Sequence, residues 1–335
     1  MKNLLLSALI FFALQSSSQV LRKRTTLLMG GRFDITIVAE NKELAEKNID
    51  SVVAEISRIE NLISDWKSDS QISKVNQNAG IMPVKVVKEV FELTKRALEL
   101  SNATHGAFDI SFAAMDKIWK FDGSMTQMPS EESIKKSVSL VGFEHVILNQ
   151  DSSTIFLKYK GMKIGFGALG EGYATDKCRQ MMLAKGIKAG IVNASGDMST
   201  WGKQPNGAKW LVAITNPINE EKILPTIPIE NEAIVTSGNY RKFVEFNGKR
   251  YSHIINPKTG YPATGLISVT VIGPSAEIAN GLSTSTMVLG KSAGIAFLEK
   301  YADYRFILIT DKGEIIHSKV ASMNKMKLPK RVNSF

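Results

Sequence analysis

TSGNYRKFVEFNGKRYSHIINPKTGYPATG, residues 236–265, decides how the rest of the chain is read. Val244 and Phe246, then Tyr251, His253 and Ile255, alternate with the period of two that a strand requires. Asn247-Gly248 between them reads as a two-residue hairpin turn, because both residues tolerate positive φ. Thr236-Ser237-Gly238 before the hairpin and Asn256-Pro257-Lys258-Thr259-Gly260 after it read as tight turns. The stretch is therefore a β-hairpin between two loops that carry hydroxyls, amides and one imidazole. A hairpin needs less polar chemistry than this to fold, and loops on a rigid scaffold are where sites concentrate. Taken alone, His253 fits either a structural strand histidine or a site residue.

Outward from the hairpin, strands and helices follow in irregular order. Residues 32–39 alternate as a strand behind the small-residue approach Met29-Gly30-Gly31. Ile49, Val52, Val53, Ile56, Ile59 and Ile63 make a helical stripe over 43–62. Ser70 caps a short helix through Val75, and residues 87–100 form a second amphipathic helix. Residues 128–137 open with Pro129-Ser130 and two acids, as helices do. Residues 143–158 and 162–166 read as strands, 171–184 as a helix, 189–193 as a short buried strand and 210–215 as another. Residues 266–272 predict a central strand. Ser275 caps a helix to about Val288, a short helix covers 292–301, and a strand at 305–310 closes the core. The pattern predicts a single mixed α/β domain of the α+β type over residues 28–320, not a Rossmann fold, followed by a basic tail at 321–335.

With 335 residues and 44% hydrophobic content, the chain can bury a large core without disulfides. Cys178 is the only cysteine, so no internal disulfide can form, and its helical setting reads as a packed thiol. The net charge of +10 suits an anionic ligand or an anionic membrane surface. The basic residues are scattered, with no zinc-finger spacing and no basic region with heptads, so nucleic acid is not indicated. Residues 1–19 read as a secretory signal peptide: Lys2, an apolar run over 4–14, then Ser16 to Ser18. That run is too short to span a membrane. The chain is therefore expected to be exported, to the periplasm or the outer face of the inner membrane.

Two motifs outside the hairpin carry chemistry. Gly165-Phe166-Gly167-Ala168-Leu169-Gly170 matches G-x-G-x-x-G between a predicted strand and helix. It departs from a dinucleotide fingerprint, because no clean βαβ pair surrounds it and no acid follows at about 20 residues. A glycine-rich turn that lets backbone approach an anion remains. Asn280 and Thr284, four apart on a predicted helix, put two side-chain oxygens on one face. That pair suits a hard cation such as Mg2+, or simply a helix packed through small residues.

Read in order, the motifs are Met29-Gly30, Gly106-Ala107-Phe108-Asp109, the turn at 167–173 and Asn193-Ala194-Ser195-Gly196-Asp197. Then come Thr236-Ser237-Gly238, residues 253–260, and Ala279-Asn280-Gly281-Leu282-Ser283-Thr284 ahead of Val288-Leu289-Gly290. This order resembles the ApbE family, the bacterial FAD:protein FMN transferases, from about residue 28 to residue 309. The resemblance implies an exported enzyme that moves FMN from FAD to a threonine hydroxyl of an acceptor protein, releasing AMP with the help of Mg2+. The acceptor it implies is a flavoprotein subunit of a membrane redox complex. It places the metal at Gly170, Asn280 and Thr284 and a general base at His253. It places the flavin nucleotide along Met29, Gly106, Ala107, Asp109, Gly167, Glu171, Thr236, Ser237, Gly238 and His253. Three positions depart from the commonest pattern: Asn280 and Asn256 stand where Asp is usual, and Glu171 where Lys is usual. Each asparagine keeps an oxygen but removes a negative charge, and Glu171 returns one nearby. The two asparagines leave open a FAD-binding protein without catalysis, and with water in place of threonine the same site would be a FAD pyrophosphatase giving FMN and AMP. A Rossmann oxidoreductase is the distant alternative.

Overall fold

The computed structural model describes residues 19–219, 224–240, 242–319, 329, 331 and 332. All but the last residue of the expected leader lies outside them, as does most of the expected tail. The chain begins β1 (Val20–Leu28), β2 (Gly31–Ala39), α1 (Lys42–Ile63), α2 (Gln71–Gln77), β3 (Val84–Lys85) and α3 (Lys88–Ala103). It continues α4 (Glu131–Ser137), β4 (Val146–Asn149), β5 (Thr154–Leu157), α5 (Gly170–Ala184), β6 (Ala189–Ala194) and β7 (Asp197–Trp201). Then follow β8 (Trp210–Val212), β9 (Ile227–Ile229), β10 (Ala233–Gly238), β11 (Phe243–Phe246) and β12 (Lys249–Ser252). The last elements are β13 (Leu266–Gly273), α6 (Ala276–Leu298), β14 (Arg305–Thr310) and β15 (Ile315–His317).

Eight strands make the main sheet, in the order β1-β2-β6-β7-β10-β13-β14-β15, and every neighbouring pair is antiparallel. An antiparallel sheet has none of the parallel crossovers a Rossmann fold is built from, so the expected α+β class holds. Alternation along the strands buries both faces. Val235, Val271 and Leu308 point into the larger core beneath the helices, while Ile234, Ile272, Ile307 and Ile309 point into a second cluster with Trp210, Ile227 and Ile229. Helices α1, α5 and α6 pack on the first face. Among the described residues no helix is long and apolar enough to cross a membrane.

The hairpin appears as expected: β11 pairs with β12, and Asn247 and Gly248 take φ of 52° and 73° at its turn. It is fixed by Trp119, whose ring stacks on Tyr251 at 5.8 Å and whose Nε1 donates to Gly260 O at 2.9 Å. Three readings need correction. Residues 236–238 are not a turn; they close β10 and pair with Thr270, Val269 and Ser268 of β13. Residues 162–166 are not a strand. The Asn76 side chain takes both backbone groups of Ile164, at 2.8 and 3.0 Å, in place of a neighbouring strand. The helices expected at 275–288 and 292–301 are one element, α6, broken at Gly290 with φ 76°. Strands β1 and β7 were not anticipated, because VLRKRTTLL is half basic or polar and β7 begins at a buried acid.

Helices α5 and α6 approach closely at Gly172. A Cβ on Gly172 would stand 2.5 Å from Ala276 O and 2.7 Å from its carbonyl carbon, both backbone atoms. Gly172→Ala therefore forces the helices apart. It should cost about 1–3 kcal/mol, the usual range for overpacking, seen as a lowered thermal midpoint. Gly167→Ala, whose added methyl meets nothing within 4 Å, is the control that should leave the midpoint in place.

Candidate active-site cleft

Three cavities meet along one side of the helical layer. A cavity of about 400 Å³ is lined by Met29, Gly167, Gly170, Glu171 and Trp66. Trp66 and Asp65 are shared with a cavity of about 680 Å³ that reaches Phe112, His253 and Ile255. Those last three residues also line a pocket of about 160 Å³ with Ala107, Asp109 and Thr284. Residues as far apart in sequence as Met29 and Val288 thus line cavities linked by shared residues, and His253 lines two of the three. Trp66 stands exposed at the junction, with the Lys117 ammonium 3.7 Å over its ring.

Asn280 and Thr284 project from one face of α6, as their spacing predicts. The Thr284 hydroxyl donates to Asn280 Oδ1 at 3.4 Å. Ser237, at the end of β10, shares hydrogen bonds with Ser283 at 2.8 Å and Thr284 at 3.2 Å. The next strand residue back points to the other face: Thr236 bonds Thr270 across the ladder at 2.8 Å. The structure therefore brings Ser237, but not the Thr236 hydroxyl, to the α6 cluster. Gly238 is covered by the Tyr240 ring, which a Cβ would meet at 2.5 Å.

At the other wall, Gly106 follows α3 with φ 78°, and a Cβ there would stand 3.2 Å from Lys258 Cε. Asp109 uses its carboxylate on the local chain: Oδ1 accepts from Ser111 N and Oγ, and Oδ2 from Phe143 N. Burial pushes its pKa up, against those hydrogen bonds. Asn256 likewise turns Oδ1 inward to Lys258 N at 2.9 Å, an Asx turn that shapes the corner.

The Glu171 carboxylate lies beside Gly31, which has no side chain to block it. Burial pushes its pKa up, and the Lys242 charge pulls it down. Asp197, which closes the motif at 193–197 and was assigned no role from sequence, is buried behind it. Asp197 accepts hydrogen bonds from the Asn280 side-chain amide and the Gly172 backbone N–H. Burial, then the charges of Glu171 and Asp176, hold Asp197 well above the usual carboxylate range. An acid closing the Ser195-Gly196 turn was the available signal. Lys242, unremarked in the sequence, faces Glu171 and passes its backbone carbonyl to His253.

That carbonyl fixes the imidazole. His253 Nδ1 lies 3.1 Å from Lys242 O, and a carbonyl only accepts, so Nδ1 carries the proton and donates. In the neutral ring Nε2 is then the basic nitrogen. Burial lowers the His253 pKa, with a smaller push from the Lys242 charge, so the ring is neutral at pH 7.

For a cation, the donors at hand are all oxygen: Asn280 Oδ1 and Thr284 Oγ1, ringed by the Ser237 and Ser283 hydroxyls with the Asp197 carboxylate behind. Among the described residues no three His, Cys, Asp or Glu side chains form a metal-binding group. The set fits a hard ion held partly by neutral oxygens and partly by substrate, as Mg2+ is held beside phosphates.

A family model described as the ApbE family matches residues 29–308. The FAD:protein FMN transferase of Klebsiella pneumoniae (strain 342) is 32% identical over 281 residues, covering 82% of this chain and 79% of that protein. The FAD:protein FMN transferase of Escherichia coli (strain K12) is 31% identical over 280 residues, covering 81% and 78%. The crystal structure of the ApbE protein from Thermotoga maritima MSB8 matches with a TM-score of 0.82 at 26% identity, covering 92% of this chain and 99% of that one. The apo Pseudomonas stutzeri flavinyl transferase ApbE matches with a TM-score of 0.78 at 26% identity, covering 92% and 97%.

The His253 environment makes a pH prediction. A histidine whose folded pKa is depressed binds fewer protons folded than unfolded. Stability should therefore rise as pH climbs from the folded midpoint to the ordinary 6.5, and its contribution should be constant above that. An NMR titration of the His253 ring should give a midpoint below 6.5, and denaturant melts across that window should show the slope.

Proposed function

The chain belongs to the ApbE family, and from that membership and the cleft we propose that it is a FAD:protein FMN transferase. Its acceptor is a threonine hydroxyl of a flavoprotein subunit in a membrane redox complex. The observation that carries the reading is His253, pinned by its Nδ1 to Lys242 O with Nε2 free to accept, in a pocket it shares with Thr284.

The residues divide the work. The glycine-rich turn at Gly167 and Gly170 admits the FAD pyrophosphate close to backbone, and the cavity at Met29 and Glu171 takes one end of the nucleotide. Ala107 and Asp109 line the pocket that Thr284 shares with His253. His253 Nε2 takes the proton from the acceptor threonine as its Oγ forms a bond to the phosphorus of the FMN half. The bond from that phosphorus to the bridging oxygen breaks, and AMP leaves with the oxygen. Mg2+, held by Asn280 Oδ1, Thr284 Oγ1 and the Gly170 carbonyl, would supply charge neutralisation for the pyrophosphate and the departing AMP. Burial raises the pKa of both Glu171 and Asp197 beside this site, and a bound cation would favour their ionised forms, which supports a cation as part of the bound state. The pattern of residues 1–19 supports export to the periplasm or the outer membrane-facing surface of the inner membrane, where such an acceptor would be met.

The test incubates the full mature protein with FAD, Mg2+ and a threonine-bearing acceptor peptide, and follows covalent flavin fluorescence on the peptide with AMP release. Fluorescent peptide is expected. FMN and AMP without labelled peptide, or FAD bound and intact, would overturn the transferase reading in favour of a hydrolase or a carrier. In the same assay His253→Ala should slow transfer by about 10²–10⁴-fold.

A further inference from the structure

An aspartate ligand has two equivalent oxygens, but an asparagine has one oxygen and one NH2 group. Rotated by half a turn, Asn280 would aim N–H donors at a cation instead of an acceptor. Some neighbour has to choose the orientation, and none is needed where the family's usual aspartate stands. We infer that Asp197 is the positioning residue that turns the Asn280 oxygen toward the metal site.

Both side chains are 7% exposed, so their partners are protein atoms. The Asp197 carboxylate is held from a second side by the Gly172 N–H, in the first turn of α5, and so stands fixed when Asn280 meets it. Its Oδ2 takes the Asn280 Nδ2 group. A carboxylate oxygen accepts, so the NH2 end of the amide is the end that fits there. Oδ1 is then left on the side of Thr284, one turn along α6, with 3.4 Å between the two oxygens. The backbone completes the arrangement: Asp197 is placed by the β6–β7 turn, where Ser195 and Gly196 have φ of 51° and 124° and Gly196 N donates to Asn193 Oδ1 at 3.0 Å. A ligand's outer partner of this kind commonly changes metal affinity by about 10–100-fold when removed.

The inference rests on the Mg2+ site proposed above, and its test separates the two. Mg2+ affinity is measured by calorimetry on the full mature protein, for wild type, Asp197→Asn, Asn280→Asp, and the double variant. Thermal melts accompany each to show that it is folded. Asp197→Asn should weaken Mg2+ by about 10–100-fold. Asn280→Asp alone puts two carboxylates face to face and should fall short of the double variant. Asp197→Asn/Asn280→Asp restores one amide facing one carboxylate with the order reversed, and should bind Mg2+ at least as tightly as wild type. Wild-type affinity in Asp197→Asn, or a double variant no better than the weaker single, overturns the positioning role. In metal-free protein, with Asn labelled by 15N, the Asn280 side-chain amide should be protected from exchange in wild type and lose protection in Asp197→Asn. If wild type takes up no Mg2+, the metal reading fails, and this exchange measurement alone decides whether Asp197 holds the amide; equal protection in the two proteins overturns it.

Discussion

Asp176 is buried where α5, α6 and β7 come together, and its two oxygens accept three hydrogen bonds. Ser199 Oγ donates from β7 at 2.5 Å, Ser275 Oγ from the cap of α6 at 2.6 Å, and Glu277 N from the first turn of α6 at 3.0 Å. A carboxylate at a helix N-terminus satisfies free N–H groups and meets the positive end of the helix dipole. A buried carboxylate without such partners costs several kcal/mol, so the three elements are locked by the penalty of separating them. Gly172 lies one turn before Asp176 on α5 and permits the backbone contact with Ala276. The register of α6 on the sheet follows from this anchor. That register sets Ser283 and Thr284 opposite Ser237, and Asn280 opposite Asp197.

The cleft is polar on a different principle from the anchor. Ser237, Ser283 and Thr284 exchange hydroxyl hydrogen bonds, and hydroxyls can donate or accept as a bound group demands. They form a surface that is satisfied in itself and can be re-partnered. Glu171, Asp176 and Asp197 cluster beneath it, and burial with mutual repulsion raises the Asp197 pKa, in a protein whose net charge is +10. The overall field draws anions toward the molecule, and a cation at this floor would relieve the repulsion among its carboxyls. Lys242 is the nearby positive group that faces this floor, and the same residue's carbonyl orients His253.

The hairpin supplies the third wall by a packing device. Trp119 stacks on Tyr251 and donates to Gly260 O, clamping both the second strand and the corner that follows it. The corner is also tied by its own Asx turn at Asn256. With both sides of His253 held, the ring keeps one orientation in the cleft. Asn256 thus has a structural use that an aspartate would share, since either side chain offers the oxygen that Lys258 N needs.

The sequence by itself determined which segments become strands and helices wherever side chains alternate or stripe cleanly, as in β2, α1, β13 and the β11–β12 hairpin. Period and cap are local properties, and local physics is enough to read them. The family's spaced motifs also lay in the sequence, and with them the list of residues for the cleft. Only the tertiary structure decided what those residues do for one another. Thr236 and Ser237 are neighbours in sequence, yet the pleat of β10 sends one to Thr270 and the other to Thr284. Strand β1 was hidden because its basic residues are satisfied by Glu46 and Asp50 on α1, a long-range pairing with no sequence period. Asp197 looked like one acid after a turn, and its meaning appeared only when α6 brought Asn280 against it from 83 positions away. A hydrogen bond between distant residues depends on how sheet and helices are stacked, and no pattern within either segment records it.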